Sequence, residues 1–288
     1  RSMSRAMLHT RYFAILTDAQ GTVIDVQGPI DRGNPHVAAI ARIGVDLSEA
    51  AVGTTAIGTT LADLQPVWLH RGEHFFHDTS VFSCAGAPIW GPDGACAGML
   101  DLTGVDVQEQ PALKHLVIQS ARAIENALTL ALPHRLLLRI SWPGRVPGGH
   151  DDGLVCLDGD GMVAGSNRTA RDMLGLAPGM PRHASQLFAI GIDTLFDAAR
   201  QHRGAFEVPL WSGLQLQVLA QQADDGAGAR RAPGLAAHSV PLKDVETALI
   251  RKAVEDAHGN VMEAARALGI SRATVYRKLA QGSRRTSM

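Results

Sequence analysis

Lysine is scarce in this sequence. Its 288 residues hold only Lys114, Lys243, Lys252 and Lys278. None of the four follows a glycine, so the phosphate-cradling pattern Gly-x-x-x-x-Gly-Lys-[Ser/Thr] is absent and P-loop nucleotide hydrolysis is excluded. Cysteine is scarcer still. Cys84, Cys96 and Cys156 are odd in number with no Cys-x-x-Cys, which excludes a disulfide framework and a cysteine-based zinc site and fits reduced thiols. No apolar run approaches the roughly 20 residues that cross a bilayer, and nothing near Arg1 resembles a secretory core. A soluble, cytoplasmic protein without a membrane partner is expected. Gly-x-Ser-x-Gly and His-Glu-x-x-His are missing as well, so an enzyme is not expected.

What is present is unevenly distributed. The formal net charge is only −1, but from Lys243 onward nine basic residues stand against five acidic ones, so this stretch carries +4 and the remainder −5. After Glu263 there is no acid, while Arg266, Arg272, Arg277, Lys278, Arg284 and Arg285 follow. Such a density attracts a polyanion at short range.

Gly and Pro punctuation divides the chain. Tyr12 to Thr17, the turn Asp18 to Gly21 and Thr22 to Val26 read as a hairpin. The device recurs at Ala87 to Trp90, Gly91 to Gly94 and Cys96 to Leu102, and again at Leu154 to Leu157, Asp158 to Gly161 and Met162 to Ala164. Hairpins among helical segments indicate α+β modules. Pro111 to Leu132 reads as a long helix with an apolar stripe of Leu113, Val117, Ile124, Leu128 and Ala131, open to its own sheet or to a second subunit. A Pro/Gly stretch, Trp142 to Gly149, is expected to separate a first domain, 1–132, from a second, 150–220. Gln221 to His238 reads as a linker, placed at 221–240, ahead of a C-terminal domain, 241–288.

The C-terminal segment carries the strongest pattern. Leu242, Val245, Leu249, Ala253 and Ala257 recur at helical spacing up to Gly259. Asn260 is placed to cap a helix from Val261 to Leu268, and Ser271 to cap another that runs to about Gln281. Ala265 permits a close crossing, Gly269 makes the corner, and Ile270, Val275 and Leu279 fill the wedge, which is the pattern of a helix-turn-helix. Ser271, Arg272, Thr274, Tyr276, Arg277 and Lys278 are left on the outer face, where a recognition helix meets base edges and phosphates.

The stretch Glu246 to Gly282 resembles the DNA-binding domain of the Fis family. The resemblance implies that Arg272 and Arg277 approach the major groove of double-stranded DNA while Asn260, Thr274 and Lys278 hold phosphates.

Upstream, Gly53 to Leu61, Pro66 to His70, Glu73-His74-Phe75, Phe82 to Ile89 and Gly98 to Leu102 resemble, in order, the GAF domain of the acetoin and glycerol catabolism activators. Gly53 and Gly58 bracket a small-residue loop leading into a helix at Thr59, where backbone N–H groups can face a ligand or where glycine serves backbone angles alone. His70, Glu73, His74 and His77 invite a metal reading beside the plainer one of hydrogen-bonded pocket or core histidines. The candidate ligand-binding residues are Trp68, His70, Phe82, Cys84 and Asp101, for an unidentified small-molecule effector. Asp152 to Leu219, with Asn167 capping a helix to Leu174 and later strands at Ala205 to Trp211 and Leu214 to Ala220, resembles a PAS domain. No cofactor attachment pattern is present in it, so dimer contact and signal relay are its expected tasks.

The expected fold is α+β, with a GAF-like sensor domain, a PAS-like domain and an all-α helix-turn-helix domain. Relatives that use sigma-54 carry an ATPase between sensor and DNA-binding domain, where this chain has only the linker. The resemblance thus implies a homodimeric, ligand-responsive transcriptional regulator that acts without ATP hydrolysis, with RNA polymerase a partner if it works by recruitment. The alternative is an architectural or adaptor protein that binds DNA constitutively and uses its sensor folds for dimerisation.

Overall fold

The computed structural model describes Met7, residues 10–223, Val261 and Met262. The chain divides into two units, Arg1–Gly228 and Ala229–Met288. The expected DNA-contacting residues Asn260, Ser271, Arg272, Thr274, Tyr276, Arg277 and Lys278 lie outside the described residues, as do residues 224–240 of the expected linker.

The first unit holds two five-stranded antiparallel sheets. β1 (Tyr12–Asp18), β2 (Val23–Gln27), β3 (Val67–His70), β4 (Phe82–Trp90) and β5 (Cys96–Val105) form the first, in the order β2-β1-β5-β4-β3. Its hairpin turns are closed by the aspartates that mark them. The Asp18 carboxylate accepts from the N–H groups of Gln20 and Thr22, and that of Asp93 from Ala95.

Side chains alternate across this sheet, so each face has its own cover. Phe13, Ile15, Phe82, Cys84, Met99 and Val105 pack on one face with Val37 of α1 (Pro35–Ile40) and Ala56 and Ile57 of α3 (Ala56–Asp63). The four-residue α2 (Glu49–Val52) precedes α3. Tyr12, Ala14, Ala85, Ala87, Leu100 and Leu102 face the other way, onto Leu113, Val117 and Ala121 of α4 (Ala112–Leu130). Gly86 sits under α3. A Cβ there would stand 2.5 Å from Thr60 Oγ1 and 2.8 Å from Met99 Cε, so glycine is what lets the helix lie close on the strand.

The second sheet contains β6 (Leu136–Ser141), β7 (Gly153–Leu157), β8 (Val163–Ser166), β9 (Phe206–Pro209) and β10 (Gln215–Gln222), in the order β8-β7-β6-β10-β9. Counted with β6 last, this is the order of the first sheet. Leu138, Ile140, Val155, Val208, Leu216 and Val218 form its core with Ala170 of α5 (Arg168–Leu174) and Leu195 and Ala198 of α6 (Ile192–Arg200).

The structure corrects two expectations. The Pro/Gly stretch Trp142 to Gly149 is not a boundary between modules but the connection of two neighbouring antiparallel strands, β6 and β7. Turn residues mark a reversal inside a sheet as readily as a linker. The second module therefore begins at Leu136, and α4 runs from the central strand of one sheet directly to the central strand of the other. Along α4 the buried positions are Leu113, Val117, Ala121, Glu125 and Thr129, whereas Leu128 of the expected stripe is 39% exposed. The apolar pattern fails at the two positions where polar side chains turn inward.

Candidate functional site

A cavity of about 80 Å³ lies between the first sheet and the segments that cover it. Ile40, Leu47, Val52, Ala56, Ile57 and Phe82 give it hydrocarbon walls, and Thr55, His74, Thr79, Cys84, Asp101 and Thr103 complete the lining, almost wholly through their apolar atoms. Strand period places the last three: Cys84 on β4 faces Thr103 on β5, and Asp101 lies two residues along on the same side. The Thr103 hydroxyl donates to Asp101 Oδ2, and Cys84 Sγ lies 3.5 Å from Thr103 Oγ1. Asp101 Oδ1 is buried without a partner. Burial pushes the Asp101 carboxyl up to about 7, with the Thr103 bond pulling against it, and pushes the Cys84 thiol well up too. Cys84 is thus a packed thiol rather than a thiolate.

His74 reaches the cavity from the irregular stretch between β3 and β4. Arg71 takes a positive φ of 51°, a 3-10 turn follows over Arg71–Glu73, and the Glu73 carboxylate accepts from the His70 N–H at 2.6 Å. His74 Nδ1 lies 2.9 Å from the Arg71 carbonyl oxygen, and Nε2 is buried with no partner. Desolvation lowers the His74 pKa, which keeps the ring neutral.

Of the candidate ligand-binding residues, Phe82, Cys84 and Asp101 line this cavity, while Trp68 and His70 do not. The last two occupy the opposite face of the sheet. β3 pairs with β4 so that Leu69 opposes Cys84 and His70 opposes Ser83, which leaves Val67 and Leu69 on the cavity side. Trp68 and His70 stack on each other, Trp68 donates to Glu109, and His70 Nδ1 lies 2.6 Å from Ser83 Oγ. His70 and His74 therefore belong to different surroundings. The helix expected at Thr59 begins at Ala56, and Thr55 caps it by accepting from the Gly58 N–H at 3.3 Å. Gly53 ends α2 with a φ of 70°, and Gly58 packs on Glu49, so both glycines serve backbone geometry.

The other end of the β4–β5 hairpin is built into the second module. Its tip, Gly91 to Ala95, supplies carbonyl oxygens to Arg171 (Gly91, 3.2 Å), to the Ser166 N–H (Pro92, 2.9 Å) and to the Gly179 N–H (Asp93, 3.2 Å). Arg171 also donates to the Ser166 carbonyl at 2.6 Å. Glu125 of α4 accepts from the Trp90 N–H at 3.0 Å, and Arg168 lies 4.6 Å from the Trp90 ring. Asn167 closes the junction: its side-chain carbonyl oxygen accepts from the N–H groups of Ala170 and Leu154, and its amide nitrogen donates to Asn126 and Asp152. The strands that carry cavity residues at one end thus hold the second module at the other.

Residues 241–282 match the family described as "Bacterial regulatory protein, Fis family". The chain carries a Fis-family helix-turn-helix domain there, as the tract from Gly259 to Leu279 implies. Among its relatives is the acetoin catabolism regulatory protein of Cupriavidus necator, 29% identical over 68% of this chain and 30% of that protein. Another is the acetoin dehydrogenase operon transcriptional activator AcoR of Bacillus subtilis, 30% identical over 43% of this chain and 20% of that one. The chain therefore spans less than a third of either relative. Among solved structures, that of the E. coli DhaR(N)–DhaL complex is similar at 15% identity with a TM-score of 0.40, covering 77% of this chain and 83% of that one. Among the described residues no helix is long and apolar enough to cross a membrane.

Proposed function

We propose that this protein is a ligand-responsive, sequence-specific DNA-binding transcriptional regulator, not an enzyme, and that it acts without ATP hydrolysis. The observation that carries the reading is a cavity with a largely hydrocarbon lining in the first module of a chain that also carries a Fis-family domain. The first module is read as GAF-like and the second as PAS-like. Acetoin is the effector to try first, because two relatives bear its name.

In this reading Arg272 and Arg277 meet bases, Asn260, Thr274 and Lys278 meet phosphates, and Ser271 and Tyr276 flank them. A homodimer supplies two such helices to a pseudo-palindromic operator, since one helix reads only a few base pairs. RNA polymerase is the further partner if regulation is by recruitment. The test is a gel-shift titration of the full chain on its own promoter fragments against scrambled competitor at modest ionic strength, with and without acetoin. Preference for the promoter that changes with acetoin supports the reading. Preference that no small molecule changes leaves constitutive DNA binding, and no preference rejects both.

A further inference from the structure

The cavity of the first module is walled unevenly. Its lining residues from β4, β5 and α3 are buried, whereas Ile40, Val52, Thr55 and Thr79 are partly exposed and mark the side nearest to solvent. Residues 71–80, between β3 and β4, lie on that side. His74 and Thr79 are themselves part of the lining, and the Phe75 N–H donates to the Thr54 carbonyl oxygen at 3.2 Å. His74 is the one buried residue of the segment, and its ring stands edge-on to Phe82 at 6.4 Å between centroids. Phe75 and Phe76 are 72% and 50% exposed.

The segment is held lightly beside the rest of the cover. α3 is tied to the sheet through Ala56, Ile57, Gly58 and Thr60, all buried, and α2 backs onto it where Gly58 lies against Glu49. α1 is anchored by buried Val37 and by Asn34, which caps it by accepting from His36 and Val37. In residues 71–80 the turn bonds close within the segment, from His74 to Arg71, Thr79 to Phe76 and Ser80 to His77, so they survive a swing of the whole piece. Arg71 takes a φ of 51°, and a Cβ on Gly72 beside it would meet nothing within 4 Å, which leaves the β3 end room to turn. Farther along, the Phe76 ring lies on Gly53, where a Cβ would overlap Cε2 and stand 2.7 Å from Cδ2. Local opening follows the route that breaks the fewest buried contacts. Here that route parts Phe76 from Gly53, His74 from Phe82 and the Phe75 N–H from Thr54, and leaves both faces of the sheet covered.

We propose that residues 71–80 are the gate of this cavity, hinged at Arg71 and Gly72 and latched where the Phe76 ring lies on Gly53. That an effector passes through it rests on the reading above; the gate itself does not. Cysteine reactivity tests the proposal. Cys84 is buried in the cavity wall, so a thiol reagent reaches it when the gate opens. Cys156, buried in the second sheet with its Sγ against the Thr129 carbonyl oxygen of α4, is the control. The full chain is treated with iodoacetamide, the modified sites are read by peptide mass spectrometry, and each rate is divided by its value in the urea-unfolded chain. In wild type Cys84 reacts at least about tenfold faster than Cys156, and its rate rises less steeply with added urea, because a local opening exposes little surface. Phe76→Ala speeds Cys84 by about fivefold or more, in keeping with the loss of a half-buried phenyl ring, and leaves Cys156 within about twofold. Gly53→Ala, whose methyl would displace the ring, moves Cys84 in the same direction.

If Gly53→Ala fails to fold, the wild-type comparison and Phe76→Ala still decide. The proposal is overturned if Cys84 and Cys156 are equally protected in wild type, if Phe76→Ala leaves the Cys84 rate unchanged, or if it speeds both cysteines alike. The labelling involves neither DNA nor effector. Its failure removes the gate and leaves the regulatory reading standing, whereas failure of the gel-shift titration does the reverse.

Discussion

Arg171 of the second module donates to the carbonyl oxygen of Gly91 at 3.2 Å. Gly91 stands at the tip of the hairpin whose strands carry Phe82, Asp101 and Thr103 to the cavity wall. The cavity wall and the module contact are thus two ends of one pair of strands.

Arg171→Met removes the bonds to Gly91 and Ser166 and takes away one of the cations beside the buried Glu125 carboxyl. The expected cost is roughly 2–4 kcal/mol, from two charge-assisted bonds lost in a buried setting. Chemical denaturation followed by tryptophan fluorescence measures it. A change within about 0.5 kcal/mol, the range of an ordinary surface substitution, would show that the junction does not hold the modules together.

Asn167→Ala removes a helix cap and also orphans the buried N–H of Leu154. A cap alone contributes about 1 kcal/mol, and an unpaired buried donor costs about 1–3 kcal/mol more. A total near 2–4 kcal/mol is expected by the same denaturation, and Asn167→Asp does not rescue it, because its second carboxylate oxygen would face the Asn126 and Asp152 oxygens that accept from the amide. A loss within about 0.5 kcal/mol for Asn167→Ala would contradict the cap's role.

Gly86→Ala places a methyl against Thr60 and Met99, so α3 must lift from β4. Overpacking of this kind costs about 1–3 kcal/mol. Thermal denaturation should register the loss, and a Tm equal to that of wild type would show that the helix is free to shift.

Asp101 gives stability a pH dependence. Its folded pKa, about 7, lies above the ordinary 3.8, so the folded state holds a proton that the unfolded chain has released. The associated stability is fully present below about pH 4 and is lost as the pH rises to about 7. Comparing Tm against pH for wild type and Asp101→Asn isolates this group from the opposite drift of His74, whose folded pKa is lowered. The variant should gain on wild type across that window; parallel curves would place the Asp101 proton elsewhere.

Much of this fold is legible in the sequence because turn chemistry is local. Asp18, Asp93 and Asp158 each accept backbone N–H groups in the tight turn they announce, and Asn167 caps the helix that follows it. The cavity is less legible. Val67-Trp68-Leu69-His70 has three successive apolar residues, so nothing in its pattern selects a face; the register against β4 does, and it turns Trp68 and His70 away. His74 enters through an irregular turn with a positive φ at Arg71, for which no periodicity exists. Glu125 breaks the apolar stripe of α4 because its partner, the Trp90 N–H, comes from a strand 35 residues away in sequence.

Control of DNA affinity by occupancy of the Asp101 cavity is the central claim. Fluorescence anisotropy of the full chain on a labelled promoter fragment, with and without saturating acetoin, measures that coupling directly. Wild type should shift its Kd by about fivefold or more, the lower end of ordinary allosteric coupling, and Asp101→Leu, folded by its melting curve, should not shift. The same Kd with and without effector in wild type, or an equal shift in the variant, would contradict the account.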